Sequence, residues 1–64
     1  MKKFRAIIKL NDENSIEMIV SEKSKESAKK MLVDFYHRLD RNIKVEIELE
    51  EVYFDGNNYI GMEN

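Results

Sequence analysis

The sequence predicts an α+β domain of ββαββ order: a four-stranded antiparallel sheet, spatial order 2-1-3-4, with one helix packed on one face. Three observations lead there. Residues 3–10, 15–21 and 43–49 alternate apolar and polar residues, the period of a half-buried strand. Residues 24–41 place apolar residues at the spacing of one helix face. Asn11–Asn14 and Asp55–Asn58 are turn-forming tetrapeptides set between extended segments.

The first strand (KFRAIIKL) puts Phe4, Ala6, Ile8 and Leu10 inside and Lys3, Arg5, Ile7 and Lys9 outside. The second (SIEMIVS) puts Ile16, Met18 and Val20 inside. Parity allows two hairpin registers, because directly opposed residues share a face. Ile8 opposite Met18 also sets Lys9 against Glu17 and Ile7 against Ile19. Those outer pairs are each worth roughly 0.2–1 kcal/mol, so this register is expected over Ile8 opposite Ile16.

In the helix, Ser24 is the expected N-cap and Glu26 suits the positive end of the helix dipole. Ala28, Met31, Leu32, Phe35 and Leu39 form the inward stripe, with Tyr36 beside it and His37 on the exposed side. Arg38 and Arg41 suit the last turn and Asn42 ends it. The third strand then buries Ile43, Val45, Ile47 and Leu49. At Glu50-Glu51 the alternation slips. A β-bulge there would keep Glu51 out of the core, return Val52 and Phe54 to the inside and leave Tyr53 outside. Tyr59, Ile60 and Met62 follow the second turn as a short edge strand.

Strand order follows from charge. The outer face of the first strand offers Lys3, Arg5 and Lys9, and that of the third offers Glu46, Glu48 and Glu50. Side by side they make a ladder of opposite charges. Beside the second strand, the glutamates would face Glu17.

Composition narrows the function. The chain has 64 residues, net charge −2, one histidine and no cysteine. That predicts one small domain without a disulfide framework or a zinc cluster. The longest apolar runs are three residues, so no membrane span is expected. Met1-Lys2-Lys3 opens like a secretory leader, but Arg5 and Lys9 interrupt the apolar stretch, so a cytoplasmic location is expected. The usage of lysine, glutamate, asparagine and isoleucine hints at an AT-rich bacterial or phage genome.

No catalytic, cofactor-binding or metal-binding residue is expected. His37 lacks a nucleophile partner, the serines lack a base, and the glutamates of an open sheet face have no cleft to separate their pKa values. The two turns miss the calcium-loop pattern. The helix region carries Lys29, Lys30, Arg38 and Arg41, but Glu26, Asp34 and Asp40 interleave with them, and the pI is about 5.4. Direct nucleic-acid binding through that surface is therefore the second reading.

Protein binding is the first. Residues 1–41 carry net +3 and residues 42–64 net −5. Glu46, Glu48, Glu50 and Glu51, with Ile7, Ile19 and Tyr53 adding apolar contact, are the expected partner-binding set. Alternate carboxylates on a strand stand roughly 6.6–6.8 Å apart, close to alternate phosphates along one nucleic-acid strand. In size, charge texture and ββαββ layout the chain resembles the small acidic accessory proteins of phages and mobile elements, anti-CRISPR proteins and other inhibitors of defence or host enzymes among them. The resemblance implies a non-enzymatic inhibitor or adaptor that blocks a basic, nucleic-acid-handling or bacterial-defence protein in the host cytoplasm. It carries over no functional residue. A homodimer through an exposed strand edge and the Ile7/Ile19 patch is the other assembly considered.

Overall fold

The computed structural model describes residues 1–61, in the order β1 (Lys2–Leu10), β2 (Ser15–Glu22), α1 (Lys25–Leu39), β3 (Val45–Phe54) and β4 (Tyr59–Gly61). All pairings are antiparallel and the sheet order is β2-β1-β3-β4, as the charge ladder predicts. Arg5 opposes Glu50 and Lys9 opposes Glu46. Met62, assigned by sequence to the last strand, lies outside the described residues. No helix among those described is long and apolar enough to cross a membrane.

The β1–β2 register is the alternative one. Ile8 opposes Ile16, Ile7 opposes Glu17 and Arg5 opposes Ile19. Turn chemistry decides this. Asn11 and Asp12 have φ of 53° and 60°, and the Glu13 N–H donates to the Leu10 carbonyl at 3.0 Å. Two successive left-handed residues inside an i to i+3 bond make a turn whose twist matches a hairpin, and asparagine and aspartate tolerate it best among side-chain-bearing residues. It closes Leu10 on Glu13, and one extra residue at Glu13-Asn14 then brings Lys9 opposite Ser15 and Ile8 opposite Ile16. The expected Lys9–Glu17 pair is lost. A diagonal pair takes its place, with Arg5 Nε 3.1 Å from Glu17 Oε2.

The expected bulge is absent. β1 and β3 stay in step from Lys3 opposite Val52 to Leu10 opposite Val45. Glu51 therefore shares the helix-side face with Phe4, while Val52 and Phe54 fall on the outer face. The cost that a bulge would avert does not arise. Glu51 is only half-buried and its carboxylate lies 3.9 Å from Lys2 Nζ, which stands on the same face.

The helix starts as the sequence indicates: Ser24 is extended, and its hydroxyl accepts from the Ser27 N–H at 3.1 Å. It ends earlier, at Leu39, with Asp40 extended and its N–H bonded to the Tyr36 carbonyl. The buried stripe is Ala28, Leu32 and Tyr36. That is a rotation of roughly 40° from the predicted stripe, at about 100° per residue. Met31, Phe35 and Leu39, placed inside by sequence, are exposed. Ala6 and Ile8 meet Leu32 and Tyr36 at the centre of the core, and Met18, Val20, Ile43, Ile47 and Leu49 close around them.

Candidate interaction face

One helix covers one side of the sheet, and among the described residues no element covers the other. Its members follow from register: Lys3, Arg5, Ile7 and Lys9 on β1; Glu17 and Ile19 on β2; Glu46, Glu48, Glu50, Val52 and Phe54 on β3; Tyr59 and Gly61 on β4. Of the sequence-predicted set, Glu46, Glu48, Glu50, Ile7 and Ile19 come together here. Glu51 and Tyr53 do not; they lie on the helix side, where Tyr53 opposes Ile60.

Arg5 organises the face. Its Nη1 donates to Glu50 Oε1 at 3.0 Å and its Nη2 to the Tyr59 carbonyl at 2.9 Å. Its Nε stands beside Glu17, but the N–H is not aimed at the carboxylate and makes no hydrogen bond. One guanidinium on β1 thus touches β2, β3 and β4, using the fixed fork of donors that lysine lacks. Glu50 in turn lies over Gly61, where a Cβ would run into its carboxylate.

The row of carboxylates is evenly placed but unevenly compensated. Glu46 opposes Lys9 and lies 3.5 Å from Lys44 Nζ, which also holds Asp12 at 3.1 Å. The hydrogen bond from Lys44 keeps the Asp12 carboxyl below its ordinary value of 3.8, and the same contact raises the Lys44 ammonium above 10.5. Glu50 and Glu17 share Arg5. Glu48, opposite Ile7, has no ion-pair partner among the described residues. The row therefore differs from a string of free phosphates: a single uncompensated carboxylate stands in the middle of a largely balanced face.

Around that carboxylate is a shallow depression lined by Ile7, Lys9, Ser15, Glu46, Ile47 and Glu48. At the other end of the face Phe54 and Tyr59 pack with ring centroids 5.2 Å apart, and Val52 beside them is buried. Sequence reasoning allows Tyr59 on this face but misses Phe54, because the inferred bulge puts Phe54 inside. Unbroken alternation from Val45 onward puts Phe54 on the outer face.

His37 is half-buried and is held by a bond from Nε2–H to the Ile43 carbonyl at 3.1 Å, which ties the last helical turn to the approach to β3. Among the described residues no group of three or more His, Asp or Glu side chains is placed to hold a metal ion. Comparison with protein-family models, with curated proteins and with solved structures finds no match to this chain.

Proposed function

We propose that the protein is a small non-enzymatic binding module, an inhibitor or adaptor that docks on a protein partner through the uncovered face of its sheet. The carrying observation is the depression lined by Ile7, Lys9 and Ser15 beside Glu48, which has no ion-pair partner among the described residues, with a packed aromatic pair on the same face. Isoleucine and aromatic contact surface set among charged groups is a composition that protein interfaces share. A lone carboxylate gains from a cationic partner group that excludes water around it. The reading keeps the basic, nucleic-acid-handling partner that charge suggests and the defence protein in a host cytoplasm that the resemblance to phage accessory proteins implies, and drops the idea of a continuous phosphate-like row. Direct nucleic-acid binding by the helix draws less support, because Lys29 and Lys30 share their cleft with Glu26 and Asp34.

The test is affinity capture from the source cell or its host, with and without nuclease, using wild type and the Glu46→Lys/Glu48→Lys variant. Glu50 is spared because it holds Arg5. A nuclease-resistant protein lost on the double substitution supports the proposal. A protein partner that survives the substitution leaves the face a solvated surface. Capture of nuclease-sensitive material alone favours the helix surface.

A further inference from the structure

The two edges of the sheet differ. The described residues of β4 are Tyr59–Gly61, and Arg5 Nη2 already donates to the Tyr59 carbonyl there. β2 is eight residues long, contains no proline, glycine, lysine or arginine, and forms the other edge. Its outward backbone groups have no bond outside the sheet among the described residues.

Beside this edge lies the apolar surface that the helix does not bury. The bond from His37 to the Ile43 carbonyl sets the Val33/His37 flank of α1 against the approach to β3. The opposite flank, bearing Met31 and Phe35, therefore overhangs β2, as a right-handed β2–α1–β3 crossover also requires. Met31, Phe35 and Leu39 are 39%, 53% and 70% exposed, and Ile16 on β2 is 41% exposed. Asp34 and Arg38 line a cleft with Met31 and Phe35. Opposite charges one turn apart on a helix are self-complementary when a second copy of that helix runs antiparallel to it.

We infer that β2 is a dimer edge: two copies pair antiparallel along Ser15–Glu22 with Met18 on the twofold axis, joining their sheets and packing the Met31/Phe35 flanks across the seam. Register selects the axis. Centred on Met18, Ile16 opposes Val20 on the helix side, and Ser15 opposes Ser21 and Glu17 opposes Ile19 on the outer side. Centred on Glu17, two glutamates oppose each other; centred on Ile19, Ile16 faces Glu22. Only the first keeps the helix side apolar and sets no like charges opposite. The face carrying Glu48 stays open, so the inference stands apart from the proposed function.

The chain has no cysteine, so single-cysteine variants report the register cleanly. Light scattering and oxidative crosslinking on the whole chain make the test. The expected mass is twice 7.7 kDa, returning to 7.7 kDa for Phe35→Glu, with Ile16→Lys as a second variant if the first melts early. Met18→Cys is expected to link to its copy, since a disulfide needs Cα atoms about 4.4–6.8 Å apart, and Val20→Cys alone is not. A mass that stays at 7.7 kDa into the millimolar range, a dimer that survives both surface variants, or a dimer in which Met18→Cys does not link each overturns the inference.

Discussion

Arg5 and Glu50 stand directly opposite each other on neighbouring strands and meet at 3.0 Å on the open face of the sheet. The arginine side chain is 28% exposed, and its second nitrogen holds the β4 backbone at Tyr59. The pair links the long β1–β3 ladder to the short last strand.

Gly61→Ala should expose this dependence. The added methyl collides with the Glu50 carboxylate, which Arg5 pins in place. A loss of about 1.5–3 kcal/mol is expected, the size of one hydrogen bond to a charged group. The same substitution in a Glu50→Ala background should cost much less. Urea unfolding of the four proteins measures the coupling; additive losses would show that Glu50 does not constrain Gly61.

Leu32→Ala and Phe35→Ala should behave differently despite their near-equal place in the helical pattern. Leu32 is buried, so its truncation should cost about 2–5 kcal/mol and endanger a domain this small. Phe35 is largely exposed, and its truncation should change monomer stability by less than about 1 kcal/mol. Denaturant midpoints taken at low protein concentration, where a dimer contributes little, distinguish the two.

The contrast marks how much of the structure was legible in the sequence. Strand alternation and the charge ladder between β1 and β3 were enough for class, element order and sheet order. The helix stripe departs from the expected one because Phe35 is the more hydrophobic of two adjacent aromatics, whereas the amphipathic Tyr36 is the one packed against Ala6, Ile8 and Leu32. The Glu50-Glu51 slip reads as a bulge only if Glu51 is fully buried; Lys2 at the strand end removes that penalty. For the site, Glu48 and Ile7 were readable from parity. Arg5 reaching three strands was not, because a long side chain's partners depend on twist and reach rather than on spacing.

Asn11 should tolerate no ordinary replacement. Its φ is 53°, its N–H donates to the Lys44 carbonyl at 2.8 Å, and its Oδ1 accepts from the Lys44 N–H at 2.9 Å. Asn11→Gly keeps the backbone freedom and loses the side-chain bond, about 1 kcal/mol. Asn11→Val loses both and should cost more, by the penalty of a β-branched residue at positive φ. Equal stabilities for the two variants would show that the backbone conformation imposes no constraint.

Acid should loosen both turns. Backbone N–H groups of Asn58 and Asn57 hold the Asp55 carboxyl below its ordinary 3.8, as Lys44 does for Asp12. A lowered folded pKa means the contribution is present above 3.8 and is lost as pH falls through the lower folded value. Amide exchange at Asn57 and Asn58 should rise below about pH 4, beyond the intrinsic trend. In Asp55→Asn that extra rise should vanish. An unchanged acid profile in the variant would assign the effect elsewhere.

The most direct measurement for the proposed docking face is a chemical-shift map of the labelled protein titrated with its captured partner. The account predicts that the perturbed amides are those of Ile7, Glu46, Glu48, Phe54 and Tyr59, and that Glu48→Lys weakens the complex while leaving the free spectrum otherwise intact. Perturbations centred instead on Lys29, Lys30 and Val33, with the sheet amides unmoved, would contradict it.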